Sequence, residues 1–505
     1  MSVITTKTSA TGGLKLRQLT AIALAVASFS AWGQDAPSLA ASTEALGASQ
    51  LKSIEFTGAG HWYQFGQAPN PSLSWPQFDV SSYKATINFE APAERVQITR
   101  KQTVEPKRVR PVPVEQKPDQ YVSGNTAWNL APAPGAAPDS PPVAQPQVAA
   151  VEERVSEIWA TPQGFLKAAQ ANNATSKKVK NGVEVSFTQG KNKYVGIINA
   201  KNEVSNVKTW IDSPVLGDTL VEYNYSDYKD YSGISFPSNI LRKQGGYPVL
   251  ALAVKSVTPN AEADIAVPAE LSQADTSIKV TSDPLVPGVF YLKGGTHHSV
   301  AIEQANQIVL VEAPLNEARS EAVIAKVKEI IPNKPITFLV NTHHHFDHSG
   351  GLRTYVDEGA TIVTHKVNEP YYKKIWANAH TLNPDRLAAS HKPAKFKTFS
   401  EKLVLADATH PVEIHHIAGN THNDAFALVY LPNDKILVEA DAYTPPAAGA
   451  PLPTSVNPYT ANLYDNIKRL KLNVEQIAAL HGPRVTKLED IEAAIGIKPQ
   501  TASNN

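Results

Sequence analysis

Cysteine is absent from all 505 residues. That excludes disulfides, thiolate zinc sites and thiol nucleophiles, so any metal has to be held by His, Asp or Glu. Net charge is lacking as well, with Lys+Arg and Asp+Glu balanced at 47 each. Nothing in that balance points to nucleic acid or to a strongly charged partner. Histidine is missing from most of the chain: of 15, only His61 precedes residue 290. The chemistry is therefore sought in the C-terminal part. Long hydrophobic runs are missing too, since the apolar stretch at 19–27 is too short to span a bilayer comfortably. What is present, 42% apolar residues in a chain of this length, is enough for two cores and two or three domains.

The densest chemistry lies in Asn341-Thr342-His343-His344-His345-Phe346-Asp347-His348-Ser349-Gly350-Gly351, directly after the apolar run 336–340. If that run is a buried strand, the histidines sit on the loop at its C-terminal edge, where ligands of α/β proteins collect. The H-x-H-x-D-H spacing supplies two ligand pairs, His343 with His345 and Asp347 with His348. This predicts two divalent ions about 3.5–4 Å apart that share one hydroxide. Gly350-Gly351 is expected to turn the chain tightly before a helix at 352–357.

At the other end, Lys7, Lys15 and Arg17 precede the apolar stretch, and Ala31-Trp32-Gly33 suits a signal-peptidase cut before Gln34. Residues 1–33 are read as a signal peptide and the product as exported, periplasmic or secreted. Residues 34–265 are read as a β-rich, antiparallel N-terminal domain, with a first helix at 41–51 and strands at 52–56, 84–89 and 95–99. Ten prolines between Pro106 and Pro146 predict an extended excursion around one short strand near 121–128. One helix at 151–171 follows, then strands at 182–187, 193–198, 207–211, 219–225 and 234–243. In order, this region weakly resembles the half-barrel of periplasmic lipoprotein carriers, which implies a lipid or envelope ligand. The tyrosines 223, 225, 228 and 231 are read as sheet packing ahead of a ligand groove.

After a linker at 266–277, residues 278–498 alternate strands and helices. Strands are expected at 289–292, 299–303, 307–311, 336–340, 361–364, 412–417, 425–431, 435–438 and 476–480, with helices at 317–330, 367–376, 461–470 and 488–495. Mixed strands covered by helices on both outer faces give an αββα sandwich. Further ligands then appear at strand ends. His422 completes a three-histidine set with His343 and His345, Asp441 bridges, and His481 joins Asp347 and His348.

The order His343, His345, Asp347, His348, then His422, Asp441 and His481 resembles the metallo-β-lactamase-fold hydrolase superfamily over about residues 278–498. The sequence Gly419-Asn420-Thr421-His422 departs from the Gly-His-Thr-x-Gly common there. Asp441 is a bridging aspartate that true lactamases usually lack, and it resembles lactonases, phosphotriesterases and glyoxalase-type thioesterases. The resemblance implies two divalent metal ions, expected to be zinc, and a small-molecule substrate. It implies cleavage of an ester, lactone or related acyl bond by a hydroxide shared between the ions, with Asp347 orienting it and moving a proton. A β-lactamase, a phosphotriesterase, a mononuclear iron oxygenase and an envelope lipid-binding protein with an accessory metal site are the alternatives.

His297 and His298 precede a strand in a loop able to reach the cleft, and His298 is a candidate catalytic residue beside Tyr443, two residues after Asp441. His344 is expected to point away from its neighbours, and His365, His415 and His416 to be satisfied structural residues. The loops 294–298 and 444–456 are expected to wall the cleft.

Overall fold

Thirteen antiparallel strands of the N-terminal region pair into one sheet. It runs from Pro142–Pro146 through Thr126–Pro132, Asp119–Ser123, Ala93–Gln102, Gln77–Asn88 and Ser53–Tyr63 to Tyr247–Pro259. It continues through Ile234–Gln244, Gly217–Tyr231, Val204–Ser213, Asn192–Ile198 and Gly182–Gln189 to Thr175–Val179. The computed structural model describes residues 37–133, 140–452 and 454–497, so the signal-peptide reading lies outside the described residues.

Helix Val151–Ala160 touches both Ala93–Gln102 and Val204–Ser213, which stand six places apart in the strand order. In a flat sheet those strands would lie about 29 Å apart at about 4.8 Å per strand. A ten-residue helix is only about 15 Å long. The sheet therefore curls around the helix, and Ile158, Phe165 and Leu166 pack into its apolar face.

Two expectations for this region are corrected. The helix expected at 151–171 is two helices, Val151–Ala160 and Pro162–Ala171. Thr161 accepts from Gly164 N at 3.2 Å and Pro162 takes the first helical position, so the chain starts a new helix there. Among its described residues the proline-rich segment holds three strands, Asp119–Ser123, Thr126–Pro132 and Pro142–Pro146, where one is expected. They lie at the sheet's end, where a missing N–H is tolerated. Of the tyrosine cluster, Tyr225 donates to Ala160 O at 2.7 Å and Tyr228 to Val204 O at 2.6 Å, in keeping with packing.

The C-terminal region is a four-layer αββα sandwich. Its first sheet is ordered Thr281–Val286, Val289–Gly294, His297–Glu303, Ile308–Val311, Ile336–Val340, Thr361–His365 and Lys395–Phe399, parallel from Ile308–Val311 onward. Its second is ordered Lys402–Leu405, Val412–His416, Ala427–Leu431, Ile436–Glu439 and Gln476–Ala479. Strand alternation divides the burial. Leu310 and Leu339 face out toward Val323 and Val327 of helix Glu317–Ile330. Val309, Val311 and Val340 face in toward Ile414, Leu428 and Val438, and Leu463 and Ile467 of helix Pro458–Leu470 close the far side. The edge strands Thr281–Val286, Lys395–Phe399 and Lys402–Leu405 carry too many polar residues to announce themselves in sequence.

Among the described residues the two regions pack into one compact unit. Asp218 accepts from Thr381 N at 2.9 Å and from Leu382 N at 3.0 Å, and Asn383 donates to Asp212 at 3.0 Å. Further contacts fall at the histidine loop.

Candidate metal centre

Strand Ile336–Val340 is apolar because helices cover one face and the second sheet the other, and its end delivers the histidine loop. Asn341, fully buried, shapes that loop. Its amide donates to His343 O at 2.7 Å and its oxygen accepts from Tyr372 at 2.7 Å. Gly350 and Gly351 are needed for close approach rather than for a left-handed turn, since their φ values are −64° and −99°. A Cβ on Gly350 would sit 1.9 Å from Leu315 O, and one on Gly351 2.0 Å from Ser320 Oγ.

The seven residues singled out by spacing converge. Ligand atoms of His343, His345, His422 and Asp441 form one group, and those of His297, Asp347, His348 and His481 another, each within 4.8 Å of one another. Asp441 stands between them. Its Oδ2 lies 3.0 Å from His343 Nε2, 3.0 Å from His422 Nε2 and 3.1 Å from His348 Nε2, while Oδ1 lies 2.8 Å from His481 Nε2.

The distal nitrogens identify the tautomers. His345 Nε2 donates to Ala68 O at 3.0 Å, His348 Nδ1 to Glu312 Oε2 at 3.1 Å and His481 Nδ1 to Thr296 O at 3.0 Å. With the rings neutral, each aims a bare lone pair into the cluster. His345 Nδ1 has no hydrogen-bond partner, and His343 Nε2 faces Asp441 without hydrogen-bond geometry. His348 Nε2 and His481 Nε2 face each other at 3.0 Å. Two lone pairs that close repel unless a positive charge lies between them. The donor set, imidazole and carboxylate oxygen with no thiolate, fits a borderline divalent ion such as zinc.

The electrostatics agree. Burial pushes His343 down to about 3, which keeps it neutral and able to ligate. Burial opposes charge on Asp441, yet His348 and His422 hold it well below the usual carboxylate range. Burial likewise opposes charge on His348, but Asp441 and Asp347 raise it well above the ordinary histidine value, so the cluster draws in positive charge.

Glu312 escaped the sequence reading. Glu312, fully buried at φ +75°, accepts from Thr342 Oγ1 at 2.6 Å and from Thr342 N at 3.2 Å while orienting His348. Its one signal was an ionisable residue at the end of the strand next to Ile336–Val340. Of the neighbouring histidines it is His297 that enters the cluster, with Nε2 3.3 Å from Asp347 Oδ2. His298 points to the other face of its strand, against Gly482 O at 2.7 Å, and so is not brought to the cluster. Tyr443 is also kept away, its ring in the sandwich core and its N–H on Glu439 Oε2 at 3.0 Å. His344 does turn aside, accepting from Asn423 Nδ2 at 3.0 Å. His365, His415 and His416 bond Ser400 O, Glu413 and Asp424 O. Of the two loops expected to wall the cleft, 294–298 supplies His297 and Thr296.

Residues 292–467 match the profile of the Metallo-beta-lactamase superfamily. The 2,4-dinitroanisole O-demethylase subunit alpha of a Nocardioides strain is 21% identical over 162 residues, covering 32% of this chain and 46% of that relative. The match thus spans less than half of the relative's length. Among solved structures, a metallo-beta-lactamase from Pontibacter korlensis is 17% identical, covering 43% of this chain and 98% of that chain with a TM-score of 0.33. The flavodiiron protein from Giardia intestinalis is 14% identical, covering 43% and 57%, also with a TM-score of 0.33.

Proposed function

We propose that this chain, whose residues 292–467 belong to the metallo-beta-lactamase superfamily, is an exported dinuclear zinc hydrolase acting on an ester, lactone or related acyl bond of a small molecule. The observation that carries the reading is the pair His348 Nε2 and His481 Nε2, facing each other at 3.0 Å with both distal N–H groups already committed. His343, His345 and His422 would hold one ion, Asp347, His348 and His481 the other, and Asp441 both. Two such ions, once held there, would supply a nucleophile at neutral pH by lowering the pKa of water from 15.7 toward about 7, and would polarise the bond under attack.

The chain's own groups do the rest. Asp347, with Oδ2 turned into the cluster, takes the proton released on attack and passes it to the leaving group. His297 lies within reach of that oxygen and steadies its charge. Glu312, Thr296 and Ala68 fix the ring orientations, so no reorientation is needed as charge develops. Export is supported by the basic residues, apolar stretch and small residues of 1–33.

The test is a substrate panel with the zinc-loaded chain from Gln34: an aryl ester, an acyl lactone, a phosphotriester, a chromogenic cephalosporin and, prompted by the relative's name, 2,4-dinitroanisole. Turnover of the ester or lactone is expected, falling to background in His343→Ala. Turnover of the cephalosporin or the phosphotriester alone would replace the acyl reading with the corresponding alternative. Two bound metals with no turnover of any member would sink the hydrolase reading as stated.

A further inference from the structure

Residues 64–71 belong by chain position to the N-terminal region, yet three of their hydrogen bonds run to the histidine loop. Gln67 Nε2 donates to Asp347 Oδ1 at 2.8 Å. Phe346 N donates to Gly66 O at 3.2 Å, and His345 Nε2 to Ala68 O at 3.0 Å. The approach is close enough to require glycine: Gly66 has φ +77°, and a Cβ there would lie 2.4 Å from the Phe346 ring. The loop bearing His422 is gripped from the same side. Asp424 N donates to Pro69 O at 2.8 Å, Arg108 Nη1 donates to Thr421 O at 3.0 Å and Asp424 Oδ1 at 2.8 Å, and Thr421 Oγ1 donates to Val109 O. Each of these contacts joins the N-terminal region to a loop that carries a member of the cluster.

We propose that the N-terminal region completes the metal centre, with Gln67 as a positioning residue for Asp347. This rests on the dinuclear reading above. A carboxylate can rotate about its terminal torsion, which is broad and roughly two-fold. The Gln67 amide holds Oδ1, so that Oδ2 is the oxygen turned toward His297 Nε2 at 3.3 Å and His348 Nε2 at 3.7 Å. Removing the donor leaves Oδ1 unpartnered and frees that rotation. Replacing the amide with a carboxylate sets a like charge against it. The first group, built from His343, His345 and His422, has no such dependence on the Gln67 side chain.

The test uses the full chain loaded with cobalt(II), following the two stepwise dissociation constants by chelator competition and the visible cobalt spectrum. In Gln67→Ala one constant should weaken about 10–100-fold, the usual effect of losing a group that orients a ligand. The other should stay within about threefold, with the metal-free melting temperature unchanged. Gln67→Glu should weaken the same constant further and alter the cobalt bands. Unchanged constants in both variants, with two ions bound to the parent chain, would overturn the proposal alone. So would equal weakening of both constants together with a lower metal-free melting temperature, since that marks a general scaffold. Fewer than two ions in the parent chain would remove the dinuclear reading, and this proposal with it.

Discussion

Each half of this molecule buries a cluster of ionisable groups, and the two clusters are built on opposite plans. In the N-terminal sheet Arg242, 8% exposed, is bonded by Glu153 and Glu157, and Arg154 gives its N–H groups to Tyr121 O, Trp128 O and Asn129 Oδ1. Apart from Arg242 Nε and the Tyr223 hydroxyl, donors there meet acceptors inside the cluster. In the C-terminal sandwich acceptors meet acceptors: His348 faces His481, and His345 Nδ1 faces nothing that donates. Burial and shifted pKa values are common to both clusters. What separates them is which atoms go unmatched, a donor such as Arg242 Nε in the first and acceptor nitrogens such as His345 Nδ1 in the second, and it is unmatched acceptors that ask for a cation.

If the N-terminal cluster is complete in itself, removing its cation should damage folding and leave the metals alone. Arg242→Met takes away one partner of a buried pair and leaves Glu153, Glu157 and Glu94 facing only Arg154. A loss of about 3–5 kcal/mol is expected. Urea unfolding would measure it, and two bound metals per chain in the variant would show that the damage stays local. A metal-depleted variant of undiminished stability would erase the contrast.

The opposite experiment strips the C-terminal cluster of whatever cation it holds. An ion present at 100 times its dissociation constant stabilises by about 2.7 kcal/mol. For a region of this size that corresponds to a melting temperature lower by roughly 5–11 °C after chelation. Scanning calorimetry should show the drop and its reversal by zinc in the parent chain, and a smaller drop in His343→Ala, which keeps the group of Asp347, His348 and His481. An equal response in the variant would place the stabilising ion elsewhere.

The contrast also explains what could be read in the sequence. Strand Ile336–Val340 falls at the bounds expected from its apolar run, because it is buried on both faces and needs no alternation to be recognised. The seven residues of the motif are a local pattern plus three strand ends, so spacing was enough to bring them together. His297 and His298 could not be told apart, since which of two adjacent residues faces the cleft depends on the pairing of strand His297–Glu303 with its neighbours. Gln67 gave no signal at all, as its partner lies 280 residues away. The proline-rich strands were hidden for another reason. Pro142–Pro146 pairs with Thr126–Pro132 on one side only, and composition alone reads such an edge as loop.

The mildest probe of the comparison is a titration. Glu94 is 4% exposed, and burial, reinforced by Glu157, raises its pKa well above its ordinary value of 4.5. A carboxyl with a raised folded-state pKa favours the fold while protonated, below the unfolded value. That favour is lost as pH rises through the folded value. Glu94→Gln removes the titration while keeping the shape. Melting temperatures of variant and parent should therefore agree near pH 4 and separate as pH rises, with the variant the more stable at pH 8. The metal-dependent part of the melting temperature should stay the same in both. A variant less stable than the parent at pH 8 would mean that the Glu94 carboxylate is paired with Arg154 or Arg242 more tightly than its burial implies, and the N-terminal cluster would then hold its charges as firmly as the metal centre holds its ions.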